Sequence, residues 1–175
     1  LLELYGKTMG IIGYGRIGQT TGRIARALGM KIIANDKHEN PTLKDVEYVS
    51  FDDLCSRADV IVLHCSLTKE NQQFIDKKAI AKMKKNAIII NNARGQLINE
   101  KDLADALNEG RIYAAGIDVV SKEPIEKDNP LLKAKNCYIT PHMSWGSVEA
   151  RKRIMDMTYE NIQGYLNDKT VNRIV

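Results

Sequence analysis

The stretch Gly13-Tyr14-Gly15-Arg16-Ile17-Gly18 decides the fold of this 175-residue chain. It follows an apolar segment, Thr8-Met9-Gly10-Ile11-Ile12, that is typical of a short buried strand. Beyond the stretch, apolar residues recur at helical spacing up to a helix stop at Gly29. These apolar residues are Ile17, Ile24, Ala25 and Leu28. A Gly-x-Gly-x-x-Gly pattern between a strand and a helix predicts a turn that binds a dinucleotide.

The three glycines of the pattern have separate tasks. Gly13 permits the tight turn, Gly15 lets the backbone approach a pyrophosphate, and Gly18 lets the helix pack closely on the strand. The free amides at the start of the helix then face the phosphates. Asp36 follows the next apolar run, 31–34, and can accept hydrogen bonds from the ribose hydroxyls of NAD, whereas it would repel the 2′-phosphate of NADP. The spacing therefore predicts NAD; the alternative is an ordinary strand-turn-helix whose glycines serve packing alone.

Composition argues against a membrane-spanning protein and against a nucleic-acid-binding one. The chain carries 26 basic and 22 acidic residues, and no run of about 18 apolar residues indicates a membrane span. Five lysines form a basic cluster, namely Lys77, Lys78, Lys82, Lys84 and Lys85. Because this cluster lacks interleaved aromatic residues, it indicates a solvated helix face rather than a nucleic-acid site.

The cysteines indicate the compartment. Cys55, Cys65 and Cys137 are odd in number and scattered, which argues against a disulfide framework or a zinc site. Reduced thiols of this kind are typical of the cytosol. We therefore expect a cytoplasmic protein that binds no metal, membrane or nucleic acid.

Strand-like apolar runs alternate with helical patterns along the chain. The predicted strands cover residues 8–12, 31–34, 46–49, 59–64, 87–91, 112–119 and 136–140. Besides the helix after the glycine-rich turn, the predicted helices cover residues 51–57, 76–83, 99–109 and 147–168. In the last helix the side chains suited to packing are Ile154, Met157, Ile162, Tyr165 and Leu166. The alternation predicts an α/β fold, a Rossmann-like doubly wound parallel sheet in three layers.

Reactive side chains follow three strands of this predicted sheet. Arg94 follows the strand that ends at Asn91, Glu123 lies in the loop after the next strand, and His142 follows the last strand. Ligands bind outside the carboxyl ends of parallel strands, so the three can converge on one cleft. A histidine can protonate a ketone during hydride transfer, a carboxylate can favour its imidazolium form, and an arginine can hold a substrate carboxylate. Each residue taken singly has an ordinary structural explanation, but the ordered set indicates catalysis.

At these residues the chain resembles the D-isomer-specific 2-hydroxyacid dehydrogenases. The matching stretches, in chain order, are residues 6–18, Asn92-Ala93-Arg94-Gly95, Asp118-Val119 with Glu123-Pro124, and Pro141-His142. The resemblance covers nearly the whole chain and assigns residues 1–175 to the family's NAD-binding domain. It implies an oxidoreductase that transfers hydride between NAD(H) and a small 2-keto or D-2-hydroxy acid, and a homodimer joined through the cofactor domain.

The resemblance also implies a role for each matching residue. For catalysis it implies His142 as general acid and base, Glu123 as its partner, and Arg94 as the anchor of the substrate carboxylate and carbonyl. On the adenosine side of the cofactor it implies contacts by the Arg16 and Ile17 amides at the pyrophosphate, by Asp36 at the ribose, and by Cys65 and Ser66. At the other end it implies Ala93 and Asp118 at the nicotinamide, and His142 to Trp145 beside nicotinamide and substrate.

Within the family, Pro141-His142-Met143-Ser144-Trp145 followed by Glu149-Ala150-Arg151 is most similar to the glycerate dehydrogenases, also called hydroxypyruvate reductases. Other branches, acting on phosphoglycerate, D-lactate or glyoxylate, stay open as alternatives, and so does a plain packing role for Trp145. A non-catalytic NAD-sensing module, like the corepressor relatives of this family, is the alternative from another class.

Two features depart from the family's pattern. Ser66 stands where the family usually has proline, which concerns the shape of the loop on the adenosine side. The family's substrate-binding domain, which supplies half of the cleft, is absent from these 175 residues. We therefore expect this chain by itself to bind cofactor while being catalytically incomplete.

Overall fold

A computed structural model describes residues 2–173 in two compact units, one ending at Pro141 and the other beginning at His142. The strands are β1 (Thr8–Ile12), β2 (Lys31–Asn35), β3 (Glu47–Tyr48), β4 (Val60–Leu63), β5 (Ile88–Asn91), β6 (Ala114–Ile117) and β7 (Cys137–Ile139). The helices are α1 (Arg16–Ala27), α2 (Phe51–Arg57), α3 (Lys77–Lys82), α4 (Glu100–Asn108) and α5 (Val148–Leu166). Short 3₁₀ helices at Gly95–Leu97 and Pro130–Lys133, which have no periodic pattern, escaped sequence prediction.

The first unit is built on a parallel sheet with the order β3-β2-β1-β4-β5-β6-β7. The chain therefore winds outward in both directions from β1, which confirms the predicted doubly wound, Rossmann-like fold. The register aligns the carboxyl ends of six strands in one row, through Asn35, Ile12, Leu63, Asn91, Ile117 and Ile139. Because these strands stop at the same level, the loops that follow them start along one edge, where such sheets bind ligands.

Successive side chains of the central strands point to opposite faces of the sheet. In β4, Ile61 and Leu63 belong to one buried apolar cluster while Val60 and Val62 belong to another. The first cluster is completed by α2, α3 and α4, and the second by α1. Helices thus cover both faces, as the continuous apolar runs of a parallel sheet require.

Helix α1 is confirmed, but of the four apolar residues that predicted it only Ala25 lies on its buried face. Ile17, Ile24 and Leu28 are more than half exposed, whereas Gly18, Gly22 and Ala25 are buried against the sheet. Small residues allow the helix to approach the sheet closely, so its apolar stripe is left outside. In the second unit, the α5 side chains predicted to pack are likewise exposed, namely Ile154, Met157, Ile162, Tyr165 and Leu166.

Candidate functional site

The glycine-rich turn follows β1, and two of its glycines are sterically required. Gly13 has a φ of +91°, and a Cβ atom there would lie 2.5 Å from the amide nitrogen of Cys65. A Cβ at Gly18 would lie 2.2 Å from the carbonyl oxygen of Gly13. Gly15, by contrast, has no atom within 4 Å of a Cβ position, so open space lies beside its backbone. The turn therefore offers room for a ligand at the second glycine.

The amino terminus of α1 differs from those of the other helices that the structure describes. The N-cap residues Ser50, Asp76, Asn99 and Ser147 each accept an amide hydrogen bond at the start of α2, α3, α4 and α5. At α1 the N-cap is Gly15, which has no side chain to do so, and the first turn holds no acidic residue. The first amides of the helix, including those of Arg16 and Ile17, therefore suit a phosphate group.

Asp36 lies directly after β2 and contacts the glycine-rich turn. Its Oδ2 accepts the backbone N–H of Tyr14 at 2.5 Å, and its Oδ1 accepts that of His38 at 2.8 Å. Burial raises the pKa of the Cys65 thiol, and the negative charge of Asp36 raises it further. Asp36 thus lies within electrostatic range of Cys65, and each of its carboxylate oxygens keeps a lone pair for a ribose hydroxyl.

A side-chain amide braces the loop after β4, where Ser66 replaces the proline of the family pattern. Asn71 donates from Nδ2 to the Ser66 carbonyl at 2.8 Å, and its Oδ1 accepts the N–H of Thr68 at 2.7 Å. Asn71 was missed by the sequence analysis, although an asparagine in a polar loop commonly ties its own backbone in this way.

The loop after β5 carries Ala93 and Arg94 and is held by a buried asparagine. Asn91, 1% exposed, donates from Nδ2 to the Arg94 carbonyl at 2.9 Å and accepts the Ala93 N–H at 3.1 Å. The Arg94 side chain is exposed, and its Nη1 donates to the Ala93 carbonyl at 2.7 Å. Asn91 could have been recognised in the sequence as a polar residue at the end of an apolar strand.

The next loop along the edge carries Asp118 and Glu123. Asp118 is 6% exposed; its N–H donates to the Asn91 carbonyl at 2.9 Å and its carboxylate accepts the Thr140 hydroxyl at 2.5 Å. Glu123 accepts the Val120 N–H at 3.3 Å. The loop is therefore joined to both neighbouring strand ends.

The loops that carry Arg94 and Glu123 are packed backbone to backbone. A Cβ at Gly95 would lie 1.9 Å from the carbonyl carbon of Val120, so only glycine fits there. Glu100, at the start of α4, accepts the Ser121 N–H at 2.6 Å and its hydroxyl at 2.8 Å, besides the Asn129 amide at 2.9 Å. These contacts fix the loops that carry Arg94 and Glu123 relative to each other. Nothing in the sequence around Glu100 indicates this role.

His142 and Trp145 lie in one turn of the second unit. His142 has a φ of +52°, a left-handed conformation in which histidine is enriched among non-glycine residues. The Trp145 indole donates to the His142 carbonyl at 3.2 Å, and the Gly146 N–H donates to the Met143 carbonyl at 2.8 Å. The other predicted site residues, from the glycine-rich turn to Glu123, all lie along one edge of the sheet in the first unit.

The described residues show neither a membrane-spanning helix nor a metal-binding cluster. Across residues 2–173, no helix is long and apolar enough to cross a membrane. Within the same range, no cluster of three or more His, Cys, Asp or Glu side chains could hold a metal ion.

Comparison with known proteins identifies the family. Residues 1–144 match the profile of the D-isomer specific 2-hydroxyacid dehydrogenase, NAD binding domain. The chain belongs to this family. The matched residues include the uncapped α1 terminus, the open space at Gly15 and the Asp36 carboxylate.

Named relatives come from several branches of the family. The chain is 58% identical over 174 residues to a hydroxypyruvate reductase of Blautia hydrogenotrophica, covering 98% of this chain and 54% of the relative. It is 46% identical to a D-3-phosphoglycerate dehydrogenase of Methanocaldococcus jannaschii, covering 99% of this chain and 34% of that one. The chain thus spans about half, or less, of the length of these curated relatives.

Solved structures agree with the fold. D-lactate dehydrogenase with NAD⁺ from Lactobacillus jensenii superimposes with a TM-score of 0.91 at 30% identity, covering 99% of this chain and 57% of that one. An acyclic imino acid reductase, Bsp5, in complex with NADPH and D-Arg superimposes with a TM-score of 0.89 at 37% identity. The match covers 99% of this chain and 55% of that one. Relatives of this fold have thus been crystallised with either nicotinamide dinucleotide.

Proposed function

We propose that this chain is the cofactor half of an NAD-dependent D-2-hydroxyacid dehydrogenase that interconverts hydroxypyruvate and D-glycerate. The observation that carries the proposal is the aligned edge of the sheet. There Glu100 and Gly95 fix the Arg94 loop against the Glu123 loop, on the same edge as a turn suited to a pyrophosphate. The choice of substrate rests on the 58% identity to a hydroxypyruvate reductase.

In the proposed mechanism each polar residue has one task. NADH, when bound, supplies the hydride that adds to the carbonyl carbon of the 2-keto acid. The Arg94 guanidinium holds the substrate carboxylate and polarises the carbonyl. His142 in its imidazolium form donates its proton to the carbonyl oxygen, which becomes the hydroxyl, and is left neutral. Glu123 acts as the partner of His142 that favours the imidazolium form.

NAD is proposed over NADP because of Asp36. Its carboxylate lies beside the turn, where a 2′-phosphate would meet like charge. The acyclic imino acid reductase with NADPH shows that the cofactor differs among relatives, so the preference has to be argued from this residue.

Two steps test the proposal. Titration of the chain with NADH and NADPH, followed by Trp145 fluorescence, should give saturable binding with a preference for NADH. A chimera that joins this chain to the substrate-binding part of the Blautia relative should then oxidise NADH when hydroxypyruvate is added. In that chimera His142→Ala should abolish turnover and leave NADH binding intact. Unchanged turnover in the variant, or turnover with neither hydroxypyruvate nor another 2-keto acid, contradicts the proposal.

We further propose a cytoplasmic homodimer joined through the cofactor domain. The three cysteines are free thiols, which suits a reducing compartment. The exposed side chains of Ile17 and Ile24 on α1 and of Leu28 at its C-cap supply apolar surface for a second copy. Sedimentation should give twice the monomer mass, and Ile24→Lys should shift the chain to monomer; a monomeric wild type would contradict the dimer.

A further inference from the structure

Tyr14 occupies the position between the first two glycines of the turn, yet its side chain belongs to the core. The residue is only 4% exposed and packs in the apolar cluster that includes Ile11 and Ala25. Its ring meets the ring of Tyr48 edge-on, with centroids 6.0 Å apart and planes at 89°. A tight turn whose middle side chain is buried cannot shift without disturbing the core.

Gly22 on α1 provides the space for that ring. A Cβ atom at Gly22 would lie 2.8 Å from the Tyr14 hydroxyl oxygen and 3.2 Å from Cε2 of the ring. Because the ring is enclosed, it cannot swing into solvent to relieve such a contact. The contact between the Tyr14 ring and Gly22 therefore fixes how closely α1 approaches the turn.

The polar groups of Tyr14 are also engaged. Its N–H donates to Asp36 at 2.5 Å, and its carbonyl accepts the Gln19 side-chain amide at 3.0 Å. Burial raises the pKa of the Tyr14 hydroxyl, and a hydrogen bond from Arg26 acts in the opposite direction. Arg26 in turn pairs with Asp45 at 2.6 Å. Tyr14 thus contacts both α1 and the segments that follow β2.

We propose that Tyr14, seated on Gly22, is a positioning residue that holds the amides at the start of α1 in the geometry needed to bind the pyrophosphate of the cofactor. This inference rests on the proposed cofactor function. It adds that affinity for the pyrophosphate depends on a buried contact behind the turn, made by a residue that does not itself touch the cofactor.

The test compares two variants of the 175-residue chain with two matched controls. Gly22→Ala displaces the ring, and Tyr14→Phe removes only the hydroxyl. The controls are Gly116→Ala, where a Cβ would meet only a side-chain atom of Ile90 at 3.9 Å, and Tyr138→Phe, at a position 69% exposed. Affinities for NADH, ADP-ribose and adenosine are measured by calorimetry at a temperature where every variant is folded.

Displacements of a few tenths of an ångström at a preorganised site should weaken NADH and ADP-ribose binding about tenfold in Gly22→Ala and about threefold in Tyr14→Phe. Adenosine, which lacks the pyrophosphate, should bind as before, and both controls should match the wild type. A purely structural role would instead lower the melting temperature with unchanged affinities, or weaken all three ligands alike; either result overturns the inference. If Gly22→Ala does not fold, unchanged affinity in Tyr14→Phe overturns it. Failure of the wild type to bind any dinucleotide overturns the proposed function as well.

Discussion

Replacing Asp36 with serine tests how one carboxylate serves both the turn and the cofactor. In the structure its two oxygens accept the N–H groups of Tyr14 and His38 at 2.5 and 2.8 Å. The two N–H groups bind different carboxylate oxygens, whereas serine has a single uncharged oxygen, so both charge-assisted bonds are lost and a neutral bond can replace one of them. Because Asp36 is partly exposed and water can replace the lost acceptor, we expect the free energy of unfolding to fall by only about 1–2 kcal/mol.

The effect on cofactor choice should be larger. Two ribose hydrogen bonds worth about 0.5–1.5 kcal/mol each disappear, so the dissociation constant for NADH should rise roughly 5- to 150-fold. NADPH does not gain these bonds in the wild type and is relieved of like-charge repulsion in the variant, so its affinity should rise. The ratio of the two affinities should therefore change by at least about tenfold.

Parallel fluorescence titrations with NADH and NADPH measure that ratio, and urea unfolding measures stability. Glu39→Ser is the matched control, since it removes the same charge from an exposed residue near Asp36. If the ratio in Asp36→Ser stays at the wild-type value while stability falls as expected, Asp36 supports the turn but does not face the ribose, and the reasoning fails.

Three further results are expected. Gly95→Ala would place a Cβ 1.9 Å from the Val120 carbonyl carbon. The free energy of unfolding, measured in urea, should therefore fall by more than about 3 kcal/mol, or the variant should not fold. The control Gly116→Ala should behave as the wild type. His64 contacts the Thr21 hydroxyl at 2.9 Å, and burial lowers the pKa of its ring. Because the unfolded chain then binds the proton more readily than the folded chain, the free energy of unfolding should fall as the pH drops below 6.5, the ordinary pKa of histidine. His64→Gln should lose less stability between about pH 7.5 and about pH 5.5 in the same assay. Burial raises the pKa of the Cys55 thiol to about 11 and leaves it without exposed surface, so its reaction with a thiol reagent near pH 8 should require unfolding and accelerate with urea; rapid labelling of Cys55 in the native chain would contradict this.

Local pattern was sufficient for most elements. The continuous apolar run at 59–64 becomes β4, and Asn99 caps α4 as predicted, because strand and cap signals lie within a few residues of one another. The strand predicted at 112–119 is shorter in the structure, covering only Ala114–Ile117. The alternation of strands and helices with right-handed crossovers predicted a doubly wound sheet, and the structure gives its order.

The candidate site was predictable to the extent that it consists of strand-end motifs. The glycine pattern, Asp36, Arg94 and Glu123 could be named because each follows an apolar run, and the register places those runs at one level. Their bracing residues could not be named. Asn71 and Glu100 act through hydrogen bonds to loops whose positions the sequence does not state, and Glu100 reaches Asn129 across 29 residues.

The amino-acid sequence alone therefore determined the fold class and the family and named the candidate site residues, because periodicity, glycine spacing and short motifs are local properties. Tertiary structure alone decided which face of α1 is buried and that the Tyr14 ring sits on Gly22. It also decided that Glu100 ties the Arg94 and Glu123 loops together. The physical reason is that burial and steric fit depend on atoms brought together from distant parts of the chain. An apolar stripe or a glycine has the same local appearance whether it faces the sheet or solvent.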